Sequence, residues 1–218
     1  MRSEQIKQMV VMALLAALAY VVMVFIRIPV ISFLKYEPKD VIITIGGFIY
    51  GPLASVGISL IVTLVEMGTV SETGWIGAVM NFVSTCAFVL PATIIYKKIH
   101  NLKGAIIGLI SGVVTMIIVM LLWNYILTPL YMGYPREAVA KMLPTVFLPF
   151  NALKGGLNAA LTMLLYKPVI TALRAARLVP KPEAQRKGSI GTTVLVVGLS
   201  LALAATLVLV ILALQGVI

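Results

Sequence analysis

The sequence predicts an all-α membrane protein, a bundle of six transmembrane helices followed by a seventh, C-terminal span. Three observations predict it. Of 218 residues, 61% are hydrophobic and only 11% are charged, which is more apolar surface than a soluble domain of this size buries. The apolar residues fall into runs, several of them near the ~20 residues a helix needs to cross ~30 Å of hydrocarbon. The basic excess, a formal net charge of +10, sits in short clusters between those runs rather than interleaved with aromatics. It reads as a topology signal and as contact with anionic membrane lipids, not as a nucleic-acid surface.

Residues 9–27 form the first span. The run is longer than a signal-peptide core and is followed by Pro29 rather than a small-residue cleavage site, so it is retained. Residues 28–39, with Pro29 and Pro38, read as a loop, and 41–50 as a short second span. Gly51-Pro52 marks a tight turn into a third span over 53–67, with Glu66 at its far end. Both of these spans are short for a full crossing. A loop over 68–74 leads to the fourth span, 75–96, which contains Asn81 and Pro91. The basic connector 97–103 precedes a fifth span over 104–127 that closes at Thr128-Pro129. Residues 130–144 read as a long loop and 145–166 as the sixth span.

The chain thus divides into a transmembrane domain over 1–173, a basic cytoplasmic linker over 174–191 containing Pro180 and Pro182, and an extra helix within 192–218. The last run, 192–214, carries no charge and is long enough to span. Lys and Arg beside spans are retained on the cytoplasmic side. Placing the N-terminus inside puts Lys97, Lys98, Lys103, Lys167 and the basic linker on that face, and leaves only Arg27, Lys35, Lys39, Arg136 and Lys141 outside. The expectation is a multi-pass protein of the cell (inner) membrane with its N-terminus in the cytoplasm. The loops 28–39 and 130–144 then share the outer face, where a cover over an outward-facing pocket would lie.

Lys154 lies inside a span, where a lysine costs several kcal/mol unless it is paired, hydrated or snorkelling. Asn151 precedes it by three residues and Asn158 follows by four, which puts all three on one helical face. That polar stripe faces the protein interior. It is either part of a binding pocket or interhelical glue, with Lys154 paired to a structural carboxylate. Asn124, near the end of the fifth span, and Asn81 in the fourth are placed to converge with the stripe. Trp123, Tyr125 and Trp75, taken singly, are better explained as interfacial aromatics. Glu37 and Asp40 are either helix-terminal caps or acceptors for a polyhydroxylated ligand. Glu66 is an interfacial carboxylate or a partner for Lys154. In the first span, Ala13 and Ala17, with Ala16 between them, form a small-xxx-small pattern that lets another helix approach closely.

Several chemistries are disfavoured. No GxxxxGK[ST] phosphate loop is present, so ATP hydrolysis of the usual kind is not expected. His100 is the single histidine and Cys86 the single cysteine, the latter inside an apolar run. Neither a metal site nor a disulfide is expected. No acid–base or nucleophile constellation stands out, so no enzyme and no cofactor are expected.

Phe25-Ile26-Arg27-Ile28-Pro29, the stretch through Asp40-Val41, the turn Tyr50-Gly51-Pro52, Trp123-Asn124-Tyr125 followed by Pro129-Leu130-Tyr131, and Leu148-Pro149-Phe150-Asn151-Ala152-Leu153-Lys154-Gly155 resemble the riboflavin-binding S components of energy-coupling factor (ECF) transporters. The resemblance spans roughly residues 9–173. It implies a six-helix bundle that binds riboflavin, or FMN, from outside and works with a transmembrane coupling subunit and two cytosolic ABC-type ATPases. It further implies that Asn124, Asn151 and Lys154 contact the flavin. Asn81, Glu37, Asp40, Tyr125 and Asn158 extend that set, and Ala13 and Ala17 would dock the coupling subunit. The run 192–214 departs from the six-helix pattern.

Overall fold

The computed structural model describes residues 2–31, 34–71, 74–178 and 190–216. Helix α1 (Arg2–Phe25) leads into a small antiparallel hairpin, β1 (Ile28–Ile31) and β2 (Leu34–Tyr36). Then come α2 (Lys39–Tyr50), α3 (Pro52–Thr69), α4 (Gly74–Lys98) and α5 (Leu102–Met132). A short α6 (Arg136–Met142) runs through a π-helical turn, Leu143–Phe147, into α7 (Leu148–Ala175), and α8 (Ile190–Leu214) follows. Among the described residues, six stretches are long and apolar enough to cross a membrane: α1, α3, α4, α5, the continuous α6–α7 rod and α8. With the short α2 they account for the six helices and the added seventh.

Four expectations need correction. Residues 28–39 are not a loop: Ile28 pairs with Tyr36, Pro29 with Lys35 and Ile31 with Leu34, with a register shift between Pro29 and Ile31. Proline fits because the hairpin has only two strands, so each has a free edge where a missing N–H costs no ladder bond. The fifth span does not stop at Pro129 but runs to Met132, where Gly133 closes it in the left-handed conformation. Proline inside a membrane helix is tolerated where neighbouring helices re-satisfy the backbone. The stretch 130–144 is therefore mostly helical, and the sixth span extends through Pro168 to Ala175. Of the linker over 174–191, residues 179–189 lie outside the described residues.

Gly51 turns the chain between α2 and α3 at φ 93°, in the left-handed region that favours glycine. Pro52 then starts α3 at a position where its missing N–H is not needed. Helices α4 and α5 pack most closely, because Gly108 and Gly112 lie directly against the carbonyls of Ala92 and Phe88, and a Cβ at 108 would stand 2.6 Å from the Ala92 oxygen. Small residues permit this contact where lipid tails supply no hydrophobic drive of their own. The main apolar core joins α1, α2, α4 and α5 around Leu15, Ile43, Phe88 and Met116. A second cluster joins the hairpin, α7 and α8.

Candidate binding site

The hairpin end of the bundle is polar inside. A cavity there is walled by Leu34, Lys35 and Glu37 from the hairpin, Arg27, Glu66 of α3, and Met80, Asn81 and Ser84 of α4. Met120, Asn124, Tyr131 and Met132 come from α5, Phe147 from the π-helical turn, and Phe150, Asn151 and Lys154 from α7. Of the eight residues singled out in the sequence, Glu37, Asn81, Asn124, Asn151 and Lys154 share this wall. The other three lie elsewhere. Asp40 and Asn158 are fully buried beneath the cavity and bonded to each other, Asn158 Nδ2 donating to Asp40 Oδ2 at 3.1 Å. Tyr125 faces out of the bundle at 43% exposure.

Beneath the cavity Asp40 is satisfied three ways. Thr85 donates to it at 2.6 Å, Asn158 at 3.1 Å, and the Lys154 ammonium stands 3.5 Å away. Tyr36 of the hairpin donates its hydroxyl to Asn158 Oδ1 at 3.0 Å, so β2 is tied to α7 through the same network. Burial pushes the Tyr36 phenol up from its usual range, and the nearby Asp40 charge adds to that.

A second network sits beside it. Lys39 is 1% exposed and pairs with Glu66 and, at 3.0 Å, with Glu37. Arg27 donates to Glu37 at 2.7 Å and to the Val70 carbonyl at 3.1 Å, and Asn81 donates to Glu66 at 2.7 Å. Burial pushes the Glu37 carboxyl up, but the Lys39 ammonium, with Lys154 and Arg27 behind it, wins and holds it below the usual carboxylate range. Glu66 therefore partners Lys39 rather than Lys154. Lys39 is a buried structural cation and not an outer-face topology charge, a role the sequence reading missed. The run Glu37-Pro38-Lys39-Asp40 beside an apolar stretch was the available signal.

The groups facing the cavity keep bonding capacity in reserve. Lys154 makes two long contacts, to Ser84 Oγ at 3.4 Å and to Asp40 at 3.5 Å, while an ammonium has three donors. Asn124 and Asn151 each donate one N–H at 2.7 Å back to their own helices, to the carbonyls of Met120 and Phe147, and each amide has a second. Around them Met80, Met120, Phe147 and Phe150 supply soft, flat apolar surface. This arrangement suits a planar ligand with amide-like edges and some hydroxyls. Tyr131 joins the wall because α5 continues past Pro129, and its place in the sequence motif after Asn124 was the only hint of this. No group of three or more His, Cys, Asp or Glu side chains suited to a metal occurs among the described residues.

On the first helix, Ala16 is buried at 4% exposure whereas Ala13 and Ala17 lie on the exposed face, away from the cavity.

A family model described as the substrate-specific component of ECF transporters matches residues 7–166. The riboflavin transporter FmnP of Bacillus subtilis (strain 168) is 29% identical over 191 residues, covering 80% of this chain and 99% of the relative. The riboflavin transporter RibU of Staphylococcus aureus (strain TCH60) is 30% identical over 180 residues, covering 78% of this chain and 94% of the relative. Among solved structures, one described as the S component of a bacterial ECF transporter superimposes with a TM-score of 0.66 at 29% identity, covering 78% of this chain and 99% of that one.

Proposed function

Because the chain belongs to the substrate-specific components of ECF transporters, a family of transporter subunits and not of enzymes, we propose that its cavity captures riboflavin for uptake. The observation that carries this reading is the convergence of Asn81, Asn124, Asn151 and Lys154 from three helices on one cavity lined with methionine and phenylalanine. Riboflavin presents a flat tricyclic ring, an edge of alternating carbonyl and N–H groups, and a hydroxylated tail. The Phe and Met side chains sandwich the ring. The spare amide N–H groups of Asn124 and Asn151 and the Lys154 ammonium donate to ring carbonyls and nitrogens, and Glu37 accepts from tail hydroxyls. Asp40 and Asn158 act one layer below by holding Lys154 and the hairpin in place, and Tyr125 lies at the lipid face.

The protein is a multi-pass membrane protein. In our reading it sits in the cell membrane with the N-terminus cytoplasmic, so that the hairpin end opens outward. Capture is followed by release through a transmembrane coupling subunit driven by two ABC-type ATPases, with Ala13 and Ala17 as the docking face.

The test is direct. Purified chain is expected to carry a yellow flavin, or to quench riboflavin fluorescence at one ligand per chain, and FMN and other vitamins serve as competitors. Colourless protein that leaves riboflavin fluorescence unchanged, or that prefers another vitamin, overturns the reading.

A further inference from the structure

The family match ends at residue 166, yet the chain continues into α8, and one end of α8 reaches the cavity wall. Over residues 194–216 only Ser200 and Ile211 are buried, so most of the helix has the exposed apolar surface expected of a lipid-facing span. Its contacts are concentrated elsewhere. Leu207 lies over Gly156 of α7, where a Cβ would stand 2.9 Å from the leucine Cδ1. Ile211, 3% exposed, joins a cluster with Val30 of β1, Tyr36 of β2 and Phe150, Leu153 and Leu157 of α7. One turn further on, the Gln215 side-chain amide donates to the Pro29 carbonyl on the hairpin. Phe150 and Leu34 belong both to this cluster and to the cavity wall.

A two-stranded hairpin has little stability alone. This one is held from within the bundle by the Tyr36–Asn158 bond and from outside by the last turns of α8. We infer that Ile211 of α8 and Gln215 just beyond its end are positioning residues that hold the β1–β2 hairpin against the cavity, so that α8 sets how fast a bound ligand leaves. The inference rests on the riboflavin reading only for the ligand that reports on it.

The experiment uses the full chain in lipid nanodiscs, as parent, as Ile211→Ala/Gln215→Ala, as the conservative Ile211→Leu, and as Leu209→Ala on the exposed face of α8. Amide hydrogen exchange of residues 28–36 is measured without ligand. Riboflavin dissociation is followed by fluorescence in a chase. In the double variant, hairpin exchange and riboflavin release are each expected to rise about tenfold, with association unchanged, because the two truncations weaken the hairpin's outer anchoring contacts and leave the cavity-lining side chains in place. Ile211→Leu and Leu209→Ala should behave as the parent. Hairpin exchange equal to the parent's overturns the inference, and so does a rise spread evenly over all helices, which would make α8 a general stabiliser. If the parent fails to bind riboflavin, the ligand reading falls, and the ligand-free exchange alone still decides the role of α8.

Discussion

Two buried lysines, Lys39 and Lys154, stand at the same end of the bundle and differ in how fully they are matched. Lys39 touches two carboxylates, one of them as close as 3.0 Å, and is 1% exposed. Lys154 has one carboxylate at 3.5 Å, a hydroxyl at 3.4 Å and 8% exposure towards the cavity. Both remove a charge from water, which is tolerable only with partners. The saturated lysine holds the hairpin, α2 and α3 together. The undersaturated one retains donors, and that reserve is what a binding site requires. A lysine within a span therefore signals function through what it lacks, and burial alone does not distinguish the two.

Mutation tests this difference between the two lysines, with effects graded on the isolated chain. The largest loss is expected for Lys39→Met, which leaves Glu37 and Glu66 short of a partner in a buried setting. Breaking such a pair costs roughly 3–5 kcal/mol, so thermal unfolding in detergent should show a sharply lowered midpoint. A Lys39→Met protein as stable as the parent would mean that Lys39 is no more structural than Lys154.

Lys154→Ala is expected to fold normally and to bind riboflavin at least about tenfold more weakly, because a charge-assisted hydrogen bond contributes ~1.5–3 kcal/mol. Equilibrium fluorescence quenching measures it. Unchanged affinity would mean that Lys154 is as structural as Lys39.

Acid should act through Glu37. Its carboxyl titrates below the usual carboxylate range in the folded chain, so its ion pairs add stability that is full above the unfolded value and is lost as pH falls through the lowered folded value. Hairpin protection from hydrogen exchange is therefore expected to hold at neutral pH and to weaken only in acid, below about pH 4. Glu37→Gln should flatten that acid limb. A midpoint near neutrality would point to another group.

On the isolated chain the smallest effects are expected at the outward faces. Ala17→Trp should leave riboflavin binding intact while abolishing co-purification with the coupling subunit, since a bulky side chain fills the space a partner helix needs. Loss of binding in the isolated variant would place that face inside the bundle. Tyr125→Phe should change affinity less than about twofold, as expected of an interfacial aromatic.

Much of this arrangement was legible in the sequence. Apolar run length located the spans, and the spacing of Asn151, Lys154 and Asn158 put one side of α7 towards the interior. What escaped depends on distance along the chain. Nothing local to Asn158 reveals that it bonds Asp40, 118 residues away, and that bond separates its role from that of Asn151 about two turns earlier. In the sequence Lys39 reads as a loop charge, since Pro38 precedes it, and its burial depends on Glu66, 27 residues further on in α3, joining the neighbouring Glu37 as a partner. The hairpin does not show in the sequence, because its strands are four and three residues long, too short for alternation to register. Pro129 signals a helix end in the sequence because a proline usually stops a helix in water, whereas here the surrounding bundle supports it.

Helix α2 bears on how the molecule is made. It has 12 residues, about 18 Å of rise against ~30 Å of hydrocarbon, and ten consecutive residues from Lys39 to Phe48 are buried in protein rather than lipid. Such a segment, headed by a lysine and an aspartate, cannot partition into a bilayer as a unit of its own. Entry is less costly with α3 than alone, as a pair folded at Gly51 in which Glu66 joins Glu37 in balancing the Lys39 charge. The ion pair therefore lowers the cost of carrying Lys39 below the membrane surface as well as joining α2 to α3 in the finished protein.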